Sequence, residues 1–292
     1  MSAFTPGHGG ARRPSVPLVA AAAALLAACG TAGTGGGATP PPTAEPERFS
    51  YSQFAVTYQG SSHGRSEQEI SGQRTASEFS LRYYLTTTAV QSGEAARLTM
   101  TLDSVPYAYV SGAGAGFSAT DAQEAAGTTF TGFLSPEGEI MAFEGGDTTI
   151  SLVQQLATGF RYFFPRIPPE GVAAGQSWTD SLESTTRAGL LEIQVKTVNR
   201  HEAVGWIEHT EGRALHVASV ADYTLSGGGT QGGMDITIEG TGIRHEHRYL
   251  AEDGRYLGGT AADTSNSTAL VAAMGMSIPI TRIKFDTLTV VR

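Results

Sequence analysis

Cysteine is almost missing: Cys29 is the only one in 292 residues, so no internal disulfide can form and no later thiol can act as a nucleophile. Lysine is nearly as scarce, with Lys196 and Lys284 making up the whole complement in a chain of formal net charge −9. No basic run gives the electrostatic footprint by which nucleic acid is held. The balance argues against both nucleic acid and anionic head groups as partners. Long apolar runs are absent too. The longest, residues 16–28, falls short of the roughly 20 residues that cross a bilayer as a helix.

What is present at the N-terminus has an order to it. Arg12 and Arg13 are the only charges before the apolar run, which closes on Leu26-Ala27-Ala28-Cys29. Charge, short apolar stretch and small residues in that sequence predict a signal peptide over residues 1–28 with a cleavage site before the cysteine. The four-residue stretch resembles the lipobox of bacterial lipoproteins. The resemblance implies diacylglyceryl transfer to Cys29, cleavage before it and acylation of the new terminus, and hence a palmitate-type membrane anchor. With Gly30 at the next position, the same resemblance implies the outer membrane facing the periplasm rather than the inner membrane, if an outer membrane exists. Loss of residues 1–28 removes two arginines and no acid, so the remainder is more acidic still.

Residues 29–48 are read as a lipidated tether. Gly, Thr, Ala and Pro dominate it, a composition that cannot repay the entropy of ordering. Such a coil reaches on the order of 25 Å.

Residues 49–292 read as one β-rich domain. Phe79, Leu81, Tyr83 and Leu85 alternate with Ser80, Arg82 and Tyr84, and Leu98, Met100 and Leu102 alternate with Arg97, Thr99 and Thr101. Period two marks a strand with one buried and one wetter face. Leu191-Ile193-Val195, Ile236-Ile238, Ile283-Phe285 and Leu288-Val290 repeat it, and the short Gly/Ser turns between them favour antiparallel neighbours. One stretch has helical spacing instead: Ile150, Val153, Leu156, Ala157, Phe160 and Phe164 predict a buried helix over residues 147–164, capped by Asp147 and ended by Pro165. A shorter helix is predicted from Ser118, with Asp121 at the reciprocal capping position and Gly127 as its stop.

Phe133-Leu134-Ser135-Pro136-Glu137-Gly138-Glu139-Ile140-Met141 echoes Tyr249-Leu250-Ala251-Glu252-Asp253-Gly254-Arg255-Tyr256-Leu257. Each is an apolar pair, a turn and an apolar pair. Two similar halves, 49–146 and 171–292, joined by the helix would explain the spacing, and convergent turn chemistry explains it equally. The expected fold is therefore mainly β: a strongly curved antiparallel sheet or half-barrel packed on one central helix. In this organisation, and in Val172-Ala173-Ala174-Gly175-Gln176-Ser177-Trp178 entering a strand, the chain resembles the lipoprotein-carrier type of half-barrel and a group of uncharacterised secreted bacterial proteins. No functional residue is carried over from either.

Candidate chemistry is thin. His245-Glu246-His247 puts two imidazoles on one strand face, with His201-Glu202 as a further donor, but no fixed third and fourth ligand accompanies them, and no metal is expected. Gly112-Ala113-Gly114-Ala115-Gly116 lacks the Lys-Ser/Thr of a phosphate loop. The serines are read as forming no nucleophile elbow. The chain is thus expected to be a non-enzyme without cofactor. The leading expectation is a membrane-tethered module that holds a lipid or another apolar small molecule between sheet and helix, with Phe160, Phe163, Phe164 and Met141 as candidate lining residues. Tyr107, Tyr109, Met274 and Met276 are weaker candidates. The alternative is an envelope scaffold with a filled core that binds another envelope protein.

Overall fold

The computed structural model describes residues 47–112, 117–188, 191–231 and 233–291. The signal, Cys29, nearly all of the tether and residues 113–116 of the Gly112–Gly116 run lie outside them.

Nine strands of 12 to 20 residues and two of six build a single antiparallel sheet. In chain order they are β2 (Phe54–Ile70), β3 (Gln73–Ser92), β4 (Ala95–Ser111), β5 (Thr129–Leu134) and β6 (Ile140–Gly145), then β8 (Ser177–Ala188), β9 (Leu191–His209), β10 (Gly212–Gln231), β11 (Met234–Ala251), β12 (Tyr256–Val271) and β13 (Met276–Val290). The spatial order is β6-β5-β4-β3-β2-β13-β12-β11-β10-β9-β8. Two meanders are therefore joined where β13 pairs with β2, from Ile280↔Gln68 to Val290↔Tyr58. A separate pair, β1 (Arg48–Phe49) with β7 (Val172–Ala173), lies outside this sheet.

The fold is mainly β, and the sheet is open but strongly curved. In a flat sheet of 11 strands the two edges would stand about 48 Å apart at ~4.8 Å per strand. Here two consecutive residues just past one short helix touch both. Helix α2 (Ser151–Phe160) is followed by Arg161, which donates to the Phe143 carbonyl of edge strand β6 at 3.2 Å. The next residue, Tyr162, donates through its hydroxyl to the Glu183 carbonyl of the opposite edge strand β8 at 3.4 Å. Only a sheet bent around the helix brings both edges within reach of adjacent residues.

Helix α2 is shorter than the expected span of 147–164. Asp147 does not cap it; its carboxylate accepts from the backbone and hydroxyl of Thr149 at 2.9 and 2.6 Å, and the N-cap position falls to Ile150, which has no side-chain cap bond. At the other end the chain leaves the helix after Phe160, well before Pro165. The shorter helix appears as α1 (Ala119–Glu124) with the reciprocal Ser118–Asp121 capping box.

The two echoed segments are both hairpins with one hydrogen-bond pattern. Ser135 N–H donates to Glu139 O and Gly138 N–H to Ser135 O, and likewise Ala251 to Arg255 and Gly254 to Ala251. Gly138 and Gly254 sit at φ +86° and +87°, a conformation that glycine adopts without Cβ strain. Consecutive residues join them, since Tyr51 N–H donates to Pro136 O and Ser52 N–H to Gly254 O.

The core lies on the concave side beneath α2. Tyr58, Leu85, Leu98, Met100, Leu102, Phe130, Leu215 and Leu250 are fully buried there. Rings pack edge-on through it: Phe163 against Tyr58 and Tyr256 at 5.4 Å each, and Phe160 against Phe130 at 5.6 Å.

Candidate functional site

Strands of 20 residues such as β3 and β10 run to about 65 Å, whereas a ten-residue helix covers only about 15 Å. Most of the concave face is therefore not roofed by α2. Cross-strand register divides that face into layers. Next to the helix is the apolar floor just described. Beyond it comes a polar belt: one row runs His201, Ser219, Glu246, Ala261, Asp286 and Ser62, and the next runs Asp180, Asn199, Ala221, Arg244, Asp263 and Lys284. Beyond the belt, Val195, Leu225, Ile238, Ile278 and Ile280 form a second aliphatic layer that remains half-buried.

Glycines keep the belt's floor low. A Cβ at Gly60 would fall inside the Tyr83 ring, one at Gly64 inside Phe79, and one at Gly242 inside Tyr223. Each aromatic therefore lies flat across the neighbouring strand instead of standing up into the concavity. Tyr223 crosses Gly242 in this way and donates to Asp263, two strands away, at 2.8 Å.

A groove of about 430 Å³ opens between α2 and this belt, within the ~300–1,000 Å³ typical of ligand sites. Its apolar wall includes Phe79, Leu81, Phe117, Leu152, Leu156 and Phe163, and its other wall carries Arg244, Glu246, Arg248, Arg282, Lys284 and Asp286. Of the candidate residues, Phe160 and Phe163 line the groove. Phe164 does not: it lies past the end of α2, buried among Tyr51, Phe54, Phe163 and Tyr256. Met141 is 42% exposed on edge strand β6 and does not reach the groove. Tyr107 and Tyr109 are exposed, and Met274 and Met276 belong to the far end of the sheet.

The buried centre of the charged wall is Glu246 with Arg248. Arg248 donates to both Glu246 oxygens at 3.0 and 2.9 Å, and also to the Phe163 carbonyl and the Tyr256 hydroxyl. It thereby ties the chain leaving α2 to β11. Burial pushes the Glu246 carboxyl up, but the Arg248 charge and hydrogen bonds, with Arg244 and His201, outweigh it and hold the carboxyl at about 2. Burial alone would lower Arg248, yet Glu246 keeps it charged.

Sequence reasoning missed this wall because it followed the alternate residues. His245 and His247 point to the convex side, where His247 meets His216 at 3.0 Å; burial and the neighbouring His247 charge both lower His216. No group of three possible metal ligands occurs among the described residues. His201 faces the other way. It is stacked on Trp178 with ring centroids 4.9 Å apart, its Nδ1 is 2.7 Å from Ser219 Oγ and its Nε2 is 3.4 Å from Asp180. Burial raises the Asp180 carboxyl, and hydrogen bonds from His201 and Asn199 more than compensate, leaving it below the ordinary value. Ser219 is only 4% exposed and does not line the groove; with His201 and Trp178 it borders a shallower depression over β8–β11, and the serine-histidine-aspartate hydrogen bonds satisfy these buried polar groups.

Gly60-Ser61-Ser62-His63-Gly64 matches the Gly-x-Ser-x-Gly spacing that the sequence reading passed over. It lies inside the extended strand β2, not at the strained strand-to-helix turn that exposes a nucleophile. A larger depression, about 630 Å³, lies over β8–β11 around Ala218, but only residues of those four strands border it and no second layer encloses it.

No protein-family model matches the chain, and no curated protein is similar to it.

Proposed function

We propose that the chain is a membrane-tethered envelope lipoprotein, without catalytic activity, that holds an amphiphile in the groove between the curved sheet and α2. The observation that carries this reading is the groove's two-sided lining. A filled core would close on itself, whereas here Phe79, Leu156 and Phe163 face Arg282 and Lys284 across open space. An apolar tail against the aromatic wall removes surface from water at about 25 cal/mol per Å². The lipobox supplies the tether: lipid on Cys29 holds the domain at the membrane, and residues 29–48 let it stand off the surface. A scaffold binding another envelope protein through its outer face is the competing reading. It draws support from Phe285 and Ile283, which are 52% and 41% exposed on the convex side.

Mass spectrometry of organic extracts from the purified full chain carrying Cys29→Ser discriminates between them. Enrichment of a lipid over the host's bulk profile is expected. An extract with the same composition as a non-binding control protein counts against the groove and returns the function to the outer face.

A further inference from the structure

We infer that Arg244, Arg282 and Lys284 form a subsite for an anionic head group, a phosphate or carboxylate carried on the amphiphile whose tail lies against α2. The inference rests on the groove reading above and names the ligand's chemical class. Four cations, Arg244, Arg248, Arg282 and Lys284, line the groove against two carboxylates, Glu246 and Asp286, although the whole chain carries −9. One of only two lysines in the sequence is spent here.

The cations differ in how far their partners satisfy them. Arg248 is committed to Glu246. Lys284 lies 2.9 Å from Asp286, and Arg244 sits at 3.5 and 3.6 Å from Glu246 and Asp263. Arg282 forms no hydrogen bond or ion pair with any described residue. Two further polar atoms in the same groove are buried without a hydrogen-bond partner, Arg244 Nε and the hydroxyl of Ser62, a residue 8% exposed. Leaving such a group unmade costs about 1–3 kcal/mol, and an acceptor in the groove would remove that cost.

Strand β13 gives independent support. Arg282, Lys284 and Asp286 turn toward the groove while Ile283 and Phe285 turn to solvent, opposite to the arrangement that burial of apolar surface favours. Register places Lys284 in the same row as Arg244, two strands away, with Arg282 in the following row. At ~4.8 Å per strand the three side chains can close on one head group.

The test uses the full chain with Cys29→Ser and two fluorescent probes, dansyl-undecanoic acid and its methyl ester, with inorganic phosphate as a competitor. The acid is expected to bind about tenfold tighter than the ester, as a charge-assisted contact implies. Arg282→Gln should cut that advantage to about twofold, and Arg282→Lys should restore most of it. Because Arg282 is exposed and has no hydrogen-bond or ion-pair partner among the described residues, its loss does not threaten the fold. Equal binding of acid and ester would overturn the subsite while leaving the groove reading intact. Binding of neither would overturn the groove reading itself. Phosphate binding to the parent with no binding of the acid would assign the cations to a free anion and overturn the head-group form of the inference.

Discussion

Replacing Glu246 with Gln leaves the shape of the groove wall nearly unchanged but removes the charge that holds Arg248 inside the protein. The carboxyl titrates near 4.5 when exposed and at about 2 in the folded chain, a difference worth on the order of 3 kcal/mol at neutral pH. A second route agrees, since breaking one side of a buried ion pair costs about 3–5 kcal/mol. The sign follows from a depressed folded value. The contribution is complete above about pH 4.5, is lost as pH falls toward 2, and is absent below. Urea denaturation of parent and Glu246→Gln, both carrying Cys29→Ser, should therefore give a stability gap of about 3–5 kcal/mol at pH 7 that shrinks to a small residue near pH 2. Comparing the pair at each pH cancels the other carboxylates. A gap below about 1 kcal/mol at pH 7, or one that does not change with pH, would refute the argument that Glu246 is the charged anchor of Arg248 and of the chain leaving α2.

Phe160→Ala should lower stability by about 3–5 kcal/mol through lost burial and a cavity, because Phe160 is 4% exposed against Phe130; Leu156→Ala, half-buried on the groove wall, should cost much less in a thermal melt yet weaken probe binding. Gly60→Val should force the Tyr83 ring up into the groove, costing about 1–3 kcal/mol of overpacking and lowering probe affinity; unchanged affinity would mean the ring is not part of the floor. Cys29→Ser should abolish incorporation of labelled palmitate and release the chain from membranes, since each acyl methylene contributes about 0.8 kcal/mol of anchoring; equal labelling would exclude the lipobox.

Local pattern was legible where one face was plainly apolar. Phe79, Leu81 and Leu85 of β3 and Leu98, Met100 and Leu102 of β4 are buried as their alternation implies, and the two hairpin turns declared themselves through glycine after an acidic pair or Pro-Glu. Strand β13 shows where the rule stops. Period two separates two faces but does not say which one faces inward, and the apolar set Ile283 and Phe285 is the outer one. Net charge is equally blind to placement: four of the 19 lysines and arginines line one concave groove, where they outnumber the carboxylates beside them. His245 and His247 drew notice because imidazoles suggest metal, while Arg244, Glu246 and Arg248, interleaved with them, carry the groove. That wall is assembled from β11 and β13 facing α2, so only the register of the folded sheet brings its parts together. The helix was overextended because apolar spacing continued past its end, although Asp147 had a local partner in Thr149.

The position of β13 has a consequence for how the protein folds. It is the sixth of 11 strands in space, with five on either side, and its contacts with β2 join residues distant in sequence, such as Gln59 and Thr289, 230 positions apart. The two meanders can each form from neighbouring hairpins at low loop-closure cost, but their union waits for a contact of very high sequence separation, the kind that slows folding. Until β13 docks, β2 and β12 present unpaired edges of 17 and 16 residues, long enough to recruit another chain. The same docking event delivers Arg282 and Lys284. A chain interrupted before Met276 thus loses the groove, half of its cations and the cover for both edges at once, and its expected fate is intermolecular pairing rather than a smaller version of the same domain.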